Sequence, residues 1–145
     1  MNLDDKNIKP LVGDNPKKEL NILNVSSLNM ALVGDAVEAL YLRTWFATNT
    51  TLNVNSVTKK INKIVNAGAQ AQSLKLIEPF LIGQELEVCR RARNTHTNST
   101  AKNYSVIEYR YATAFEALLG YLYLTNNIER IQFIMKKVLN IFNLE

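Results

Sequence analysis

An all-α fold is what this 145-residue chain predicts. Apolar residues recur at three- and four-residue spacing in one segment after another, Ser stands at the head of two of these segments, and no paired runs suggest a hairpin. Internal repeats and low-complexity tracts are absent from the sequence. Hydrophobic residues make up 47% and charged residues 21%, a balance that suits one soluble domain around a single core. A chain of about this length buries roughly 68–70% of its unfolded surface, so it needs neither disulfides nor a structural metal to fold. Its lone cysteine, Cys89, excludes an intrachain disulfide and a Cys-cluster zinc site.

Residues 1–20 are polar and broken by Pro10, Gly13 and Pro16, which predicts a flexible N-terminal arm ahead of one domain over residues 21–145. Ser26 and Ser27 are N-cap candidates for a first helix over residues 28–46. Its apolar residues, from Met30 to Trp45, point in nearly every direction around the axis, the pattern of a buried helix. Ser56 can cap a second helix, in which Val57, Ile61, Ile64 and Val65 form a core face while Lys59, Lys60 and Lys63 lie largely opposite. Gly68 interrupts this pattern, and residues 69–77 read as a further helix stopped by Pro79. After Gly83 comes a short amphipathic segment, residues 84–93, and then a polar loop over residues 94–103 that holds His96. A second largely apolar helix over residues 105–125 and an amphipathic one over residues 127–142 complete the chain.

Each apolar helix carries an acid that local preference disfavours. Asp35 follows Gly34 in the middle of the first helix, although Gly costs roughly 1 kcal/mol there and Asp is a poor interior residue. A buried carboxylate needs a partner, a metal or a wet cleft. An ion pair with Arg43 or Arg110 is one reading of Asp35. The other is a site shared with Glu116, which stands among Phe115, Ala117, Leu118 and Leu119, with Gly120 one turn away on the same face. If the two helices bring the acids together, their repulsion calls for a cation, and a hard divalent ion such as Mg²⁺ suits oxygen ligands. Glu38 is near the Asp35 face, but reads more readily as solvent-facing, like Glu85, Glu87, Glu108 and Glu129. His96 has no second His or Cys at metal-ligand spacing, and Cys89 reads as a small packing residue.

Lys and Arg total 17 against 13 Asp and Glu, a mild excess of +4 that permits a polyanionic partner. Arg90, Arg91, Arg93, Asn94 and Lys102 could lie across a nucleic-acid backbone, with Lys59, Lys60 and Lys63 as a second patch. The alternative for the arginines is a solvated helix end whose cations offset the C-terminal dipole. The N-terminus lacks the apolar run of a signal peptide, and no stretch approaches the ~20 apolar residues of a membrane span. A cytoplasmic protein without a membrane partner is expected.

Leu32-Val33-Gly34-Asp35-Ala36-Val37 resembles the catalytic-helix motif of the ribonuclease III family, and Phe115-Glu116-Ala117-Leu118-Leu119-Gly120 is similar to its second acidic motif. Residues 60–71, Arg90-Arg91-Ala92-Arg93-Asn94 and residues 109–116 resemble, more narrowly, the small bacterial subgroup called Mini-ribonuclease III. The resemblance covers about residues 28–124. It implies the all-α endonuclease-domain fold, a homodimer with an active site at each end of an RNA-binding valley, and cleavage of double-stranded RNA with Mg²⁺, for which Mn²⁺ can substitute. For the subgroup it implies maturation of the ends of 23S ribosomal RNA precursor, leaving 5′-phosphate and 3′-hydroxyl ends, with the need for a ribosomal-protein partner left open. Asp35 and Glu116 match the family's catalytic acids and would hold the metal directly or through water. Two further family acids are replaced by Ala31 and Thr113, so the Thr113 hydroxyl and substrate phosphate are the candidates to complete the ligand set. Residues 90–102 would reach the RNA minor groove or phosphates. Leu32 takes the place of an aromatic residue that plugs the partner subunit in relatives. The chain ends soon after its last helix, and no separate double-stranded-RNA-binding domain is expected, as in the subgroup. Two alternatives remain at this point: the same fold binding structured RNA without cutting it, and an all-α protein-interaction domain, which would give no reason for the two acids.

Overall fold

The structure is a computed structural model that describes residues 22–95 and 105–144. The expected arm over residues 1–20, His96 and Lys102 lie outside the described residues. Six helices account for most of the rest: α1 (Ser27–Asn49), α2 (Val54–Asn62), α3 (Ala67–Ile77), α4 (Gly83–Arg93), α5 (Val106–Leu124) and α6 (Ile128–Ile141), with no strand among the described residues.

Side-chain caps explain where these helices begin. The Ser26 hydroxyl accepts from the Asn29 amide at 3.1 Å, as expected. α2 starts earlier than expected, because Asn53 rather than Ser56 is its cap and accepts from the Ser56 amide at 2.9 Å. Asn66 does the same for Ala69 at 2.9 Å, which places Gly68 inside the first turn of α3 instead of at a break. Ser105 and Glu108 close a reciprocal capping box at the start of α5. Pro79 lies in the 3₁₀ turn Glu78–Phe80 directly after α3. Asn126 and Asn143 take the left-handed conformation just past α5 and α6, with φ of 68° and 57°, a role that Asn fills when Gly is absent.

α5 is the axis of the domain, packed most extensively against α1 and also against α3, α4 and α6. Its Ala114, Phe115, Ala117, Leu118 and Leu119 are wholly buried, and Phe46, Leu74, Ile77, Ile134, Met135 and Leu139 close around them. α1 departs from the expectation of burial on all sides. Only the row Met30, Gly34, Glu38, Leu42 and Phe46, with Ala31 beside it, is covered. The four-residue row Leu28, Leu32, Ala36 and Leu40 on another face is exposed, Leu32 to 71%. An all-round apolar helix implies burial only if the chain itself supplies a neighbour on each side, and here it leaves one face open.

Candidate active site

α1 and α5 run antiparallel with their backbones in contact. A Cβ at Gly34 would stand 1.6 Å from the Glu116 carbonyl oxygen, and one at Gly120 would stand 1.8 Å from that of Met30. Only hydrogen fits at both places, which is why two glycines sit within helices where they weaken the local helix. This crossing brings Asp35, next to Gly34, to Glu116.

The electrostatics register the meeting. The Glu116 carboxyl is pushed up to about 8, first by burial, then by the negative charge of Asp35 and, less, of Glu38. Glu38 is pushed up to about 7 by its own burial, partly offset by a hydrogen bond from Gln70. The ion pairs among the described residues are Arg90 with Glu87, Arg93 with Glu78 and Arg130 with Glu85, so no cation among the described residues pairs with the three acids. Arg43 and Arg110 are exposed and form no ion pair with Asp35, which removes the ion-pair reading.

The burial of the acids is the reverse of expectation. Asp35 is exposed, so its carboxylate faces solvent, while Glu38, expected at the surface, is wholly buried. Glu38 lies on the same four-residue row as Met30, Gly34, Leu42 and Phe46, and that spacing was the signal that could have revealed it. Its Oε1 accepts from Gln70 Nε2 at 2.9 Å, and its Oε2 is buried without a hydrogen-bond partner. Gln70 itself, buried on α3, was not singled out from the sequence. Glu85, also expected to be solvated, is buried and held by Arg130 at 2.7 Å.

The donor set at the crossing consists of carboxylate oxygens that repel one another, which fits a hard divalent cation. Among the described residues no group of three or more His, Cys, Asp or Glu side chains is disposed to hold a metal. Asp35 and Glu116 are therefore the pair that would hold one, leaving its outer positions open to water or phosphate. The Thr113 hydroxyl donates to the Tyr109 carbonyl at 3.0 Å, so its proton is engaged within α5 and only its lone pairs are available. Cys89 is buried, with its thiol pushed up to about 12 by burial, in keeping with a packing residue.

The cations divide into two groups. Arg90 forks onto Glu87 at the surface, with contacts of 2.9 and 2.6 Å. Arg93 pairs with Glu78 at 3.1 Å and, like Lys75, lies 5.3 Å from the Tyr111 ring centre, which ties α4 to α5. Arg91 makes no ion pair among the described residues, and Asn94, Lys59, Lys60 and Lys63 are exposed. Lys60 also lines a cavity of about 730 Å³ with Trp45, Asn49 and Asn143, which includes none of the acids.

A model of the ribonuclease III domain matches residues 28–127, which include the whole α1–α5 crossing. The chain belongs to the ribonuclease III family. Among relatives in this family, a Mini-ribonuclease 3 of Thermoanaerobacter sp. (strain X514) is 45% identical over 115 residues, covering 79% of this chain and 81% of that protein. A Mini-ribonuclease 3 of Clostridium tetani is 41% identical over 127 residues, 87% of this chain and 83% of the relative. A crystal structure of a Fusobacterium nucleatum protein superposes with a TM-score of 0.77 at 29% identity, covering 83% of this chain and 99% of that one. The helical fold expected from the sequence is thus that of ribonuclease III, and the protein is an endoribonuclease acting on RNA. No helix among the described residues is long and apolar enough to cross a membrane.

Proposed function

We propose that this ribonuclease III protein cuts double-stranded RNA with a divalent metal ion, Mg²⁺ or in its place Mn²⁺, and that its substrate is the stem pairing the ends of 23S ribosomal RNA precursor. The observation that carries the reading is the meeting of Asp35 and Glu116 at a glycine-to-backbone crossing, with no cation among the described residues paired with them. Asp35, on the solvent side, and Glu116, more deeply placed, would hold the metal between protein and substrate. When bound, it would supply an activated water and positive charge at the phosphodiester, giving 5′-phosphate and 3′-hydroxyl ends. Arg91, Asn94 and the lysines of α2 are suited to hold the duplex by its phosphates and shape. The open row Leu28, Leu32 and Leu40 supports a homodimer, because a second copy would cover the face this chain leaves exposed.

A second reading, binding of structured RNA without cleavage, draws on Ala31 and Thr113 at places where the family carries acids and on the absence of a three-acid group among the described residues. Incubating a precursor stem with purified protein separates the two, with Mg²⁺ and with chelator, beside Asp35→Asn. Cutting that needs the metal and disappears in the variant is expected. Tight binding without cutting under every condition would establish the second reading instead.

A further inference from the structure

The cavity between the end of α1, the start of α2 and the residues after α6 lies apart from the acids, yet one of its residues, Lys60, belongs to the lysine face of α2. At about 730 Å³ it falls within the roughly 300–1,000 Å³ of small-ligand clefts. Its aromatic wall is Trp45, half-buried, whose ring centre is 5.0 Å from that of wholly buried Phe46 and whose plane is at 86° to it, so the indole is braced from the core side. Polar groups around it are unused. Asn49 Nδ2 donates to the Trp45 carbonyl at 2.9 Å and to the Thr48 hydroxyl at 3.2 Å, which leaves Oδ1 as an acceptor. The side chains of Thr51, Lys60 and Asn143 are exposed and make no hydrogen bond or ion pair among the described residues. Lys60 is the one charged side chain among the described lining residues, so the cavity favours an anion.

An indole, amides and hydroxyls that can meet a base edge, and one ammonium for a phosphate are together the parts of a nucleotide site. Lys60 ties that site to RNA, because Lys59 and Lys63 stand beside it on the same exposed stretch. Trp45 follows Asp35 on α1 by ten residues, about 15 Å of helix, so one strand can pass both. A base inside a duplex is stacked and paired, and only an unpaired one can lie on an indole. We propose that this cavity binds one unpaired nucleotide of the RNA where a strand leaves the stem, its base stacked on Trp45 and its phosphate on Lys60. The proposal rests on the reading of duplex RNA as substrate and adds the contact that tells a stem with flanking strands from a bare one.

Trp45 is the only tryptophan of the chain, so its fluorescence reports on the cavity directly. The full chain, in chelator so that no cleavage intervenes, is titrated with a blunt RNA duplex, with the same duplex carrying short unpaired adenosine extensions, and with a version whose extensions are abasic. The adenosine extensions are expected to quench Trp45 emission and to tighten binding by about 5- to 150-fold over the blunt duplex, the range for one stacked base. The abasic extensions, which keep the phosphates, leave the emission unchanged. Trp45→Leu brings the ratio of extended to blunt affinity down to about one, and Lys60→Gln lowers it in the same direction. If Trp45→Leu does not fold, the wild-type comparison of adenosine with abasic extensions decides alone. A blunt duplex that binds as tightly as the extended one, or abasic extensions that act as the adenosine ones do, overturns the proposal and leaves the duplex reading standing. Adenosine monophosphate that quenches at the same concentration as the extended duplex overturns RNA as the source of the nucleotide. A wild-type chain that binds neither duplex overturns the duplex reading, and this proposal with it.

Discussion

Gly34 lies directly against the backbone carbonyl of Glu116, so that the approach of α1 to α5 beside the two acids is set by main-chain contact. Gly34→Ala forces its methyl onto a carbonyl oxygen, and Gly120→Ala does the same to Met30. Overpacking of this kind commonly costs about 1–3 kcal/mol, and backbone on both sides leaves little room to relax. Each substitution is expected to lower stability by about 3 kcal/mol or more in urea denaturation. Loss below about 1 kcal/mol with full cleavage would mean that the helices do not touch.

Stability should fall as pH rises. Glu38 has a folded pKa of about 7 against an ordinary 4.5, so the fold favours its neutral form. Its contribution is fully present below the unfolded value and is lost as pH passes upward through about 7, a change of roughly 3 kcal/mol. Glu116, raised to about 8, slopes the same way. Urea midpoints taken in chelator from pH 5 to 8 should decline for the wild type and decline less for Glu38→Gln. Parallel curves would show that Glu38 is ionised at no cost where it lies.

Leu32→Arg should separate the proposed homodimer. With 71% of Leu32 already exposed in the single chain, the change removes little from its own core and puts charge on the face proposed for the second copy. Sedimentation should report half the wild-type mass with unchanged helicity. A variant that sediments like the wild type would rule out Leu32 as a contact between two copies.

Two neighbouring arginines should give different phenotypes. Arg93→Ala removes a partly exposed ion pair and a cation over Tyr111, for a stability loss of about 1 kcal/mol. Arg91→Ala should leave the melting temperature unchanged and weaken duplex binding, lowering the log–log salt slope by about 1. Equal RNA affinity for Arg91→Ala and wild type at moderate salt would exclude Arg91 from the RNA surface.

The helices and the two acids were legible because they break local rules in public: glycine and aspartate in an apolar helix, and glutamate among alanine and leucine. Periodicity could not tell which face of α1 the chain covers by itself, so Asp35 was placed inside and Glu38 outside, the reverse of the structure. Gln70 left no trace, since a glutamine in a mixed helix resembles a surface residue until the fold buries it against the Glu38 carboxyl of another helix. Glu85 was hidden for a related reason: its partner Arg130 is 45 residues away in the chain. Asn53 and Asn66 as caps shifted helix starts by a few residues, a local choice that several nearby polar residues could have made.

Because α1 and α5 share the most extensive contact in the domain, their amides should be among the slowest to exchange with deuterated water, while α2, joined more sparsely, should open first. A molecule that has transiently released α2 would then still keep Asp35 and Glu116 at their working separation. On the roles proposed above, local unfolding at the edge would loosen the hold of the α2 lysines on RNA before it disturbed the acids.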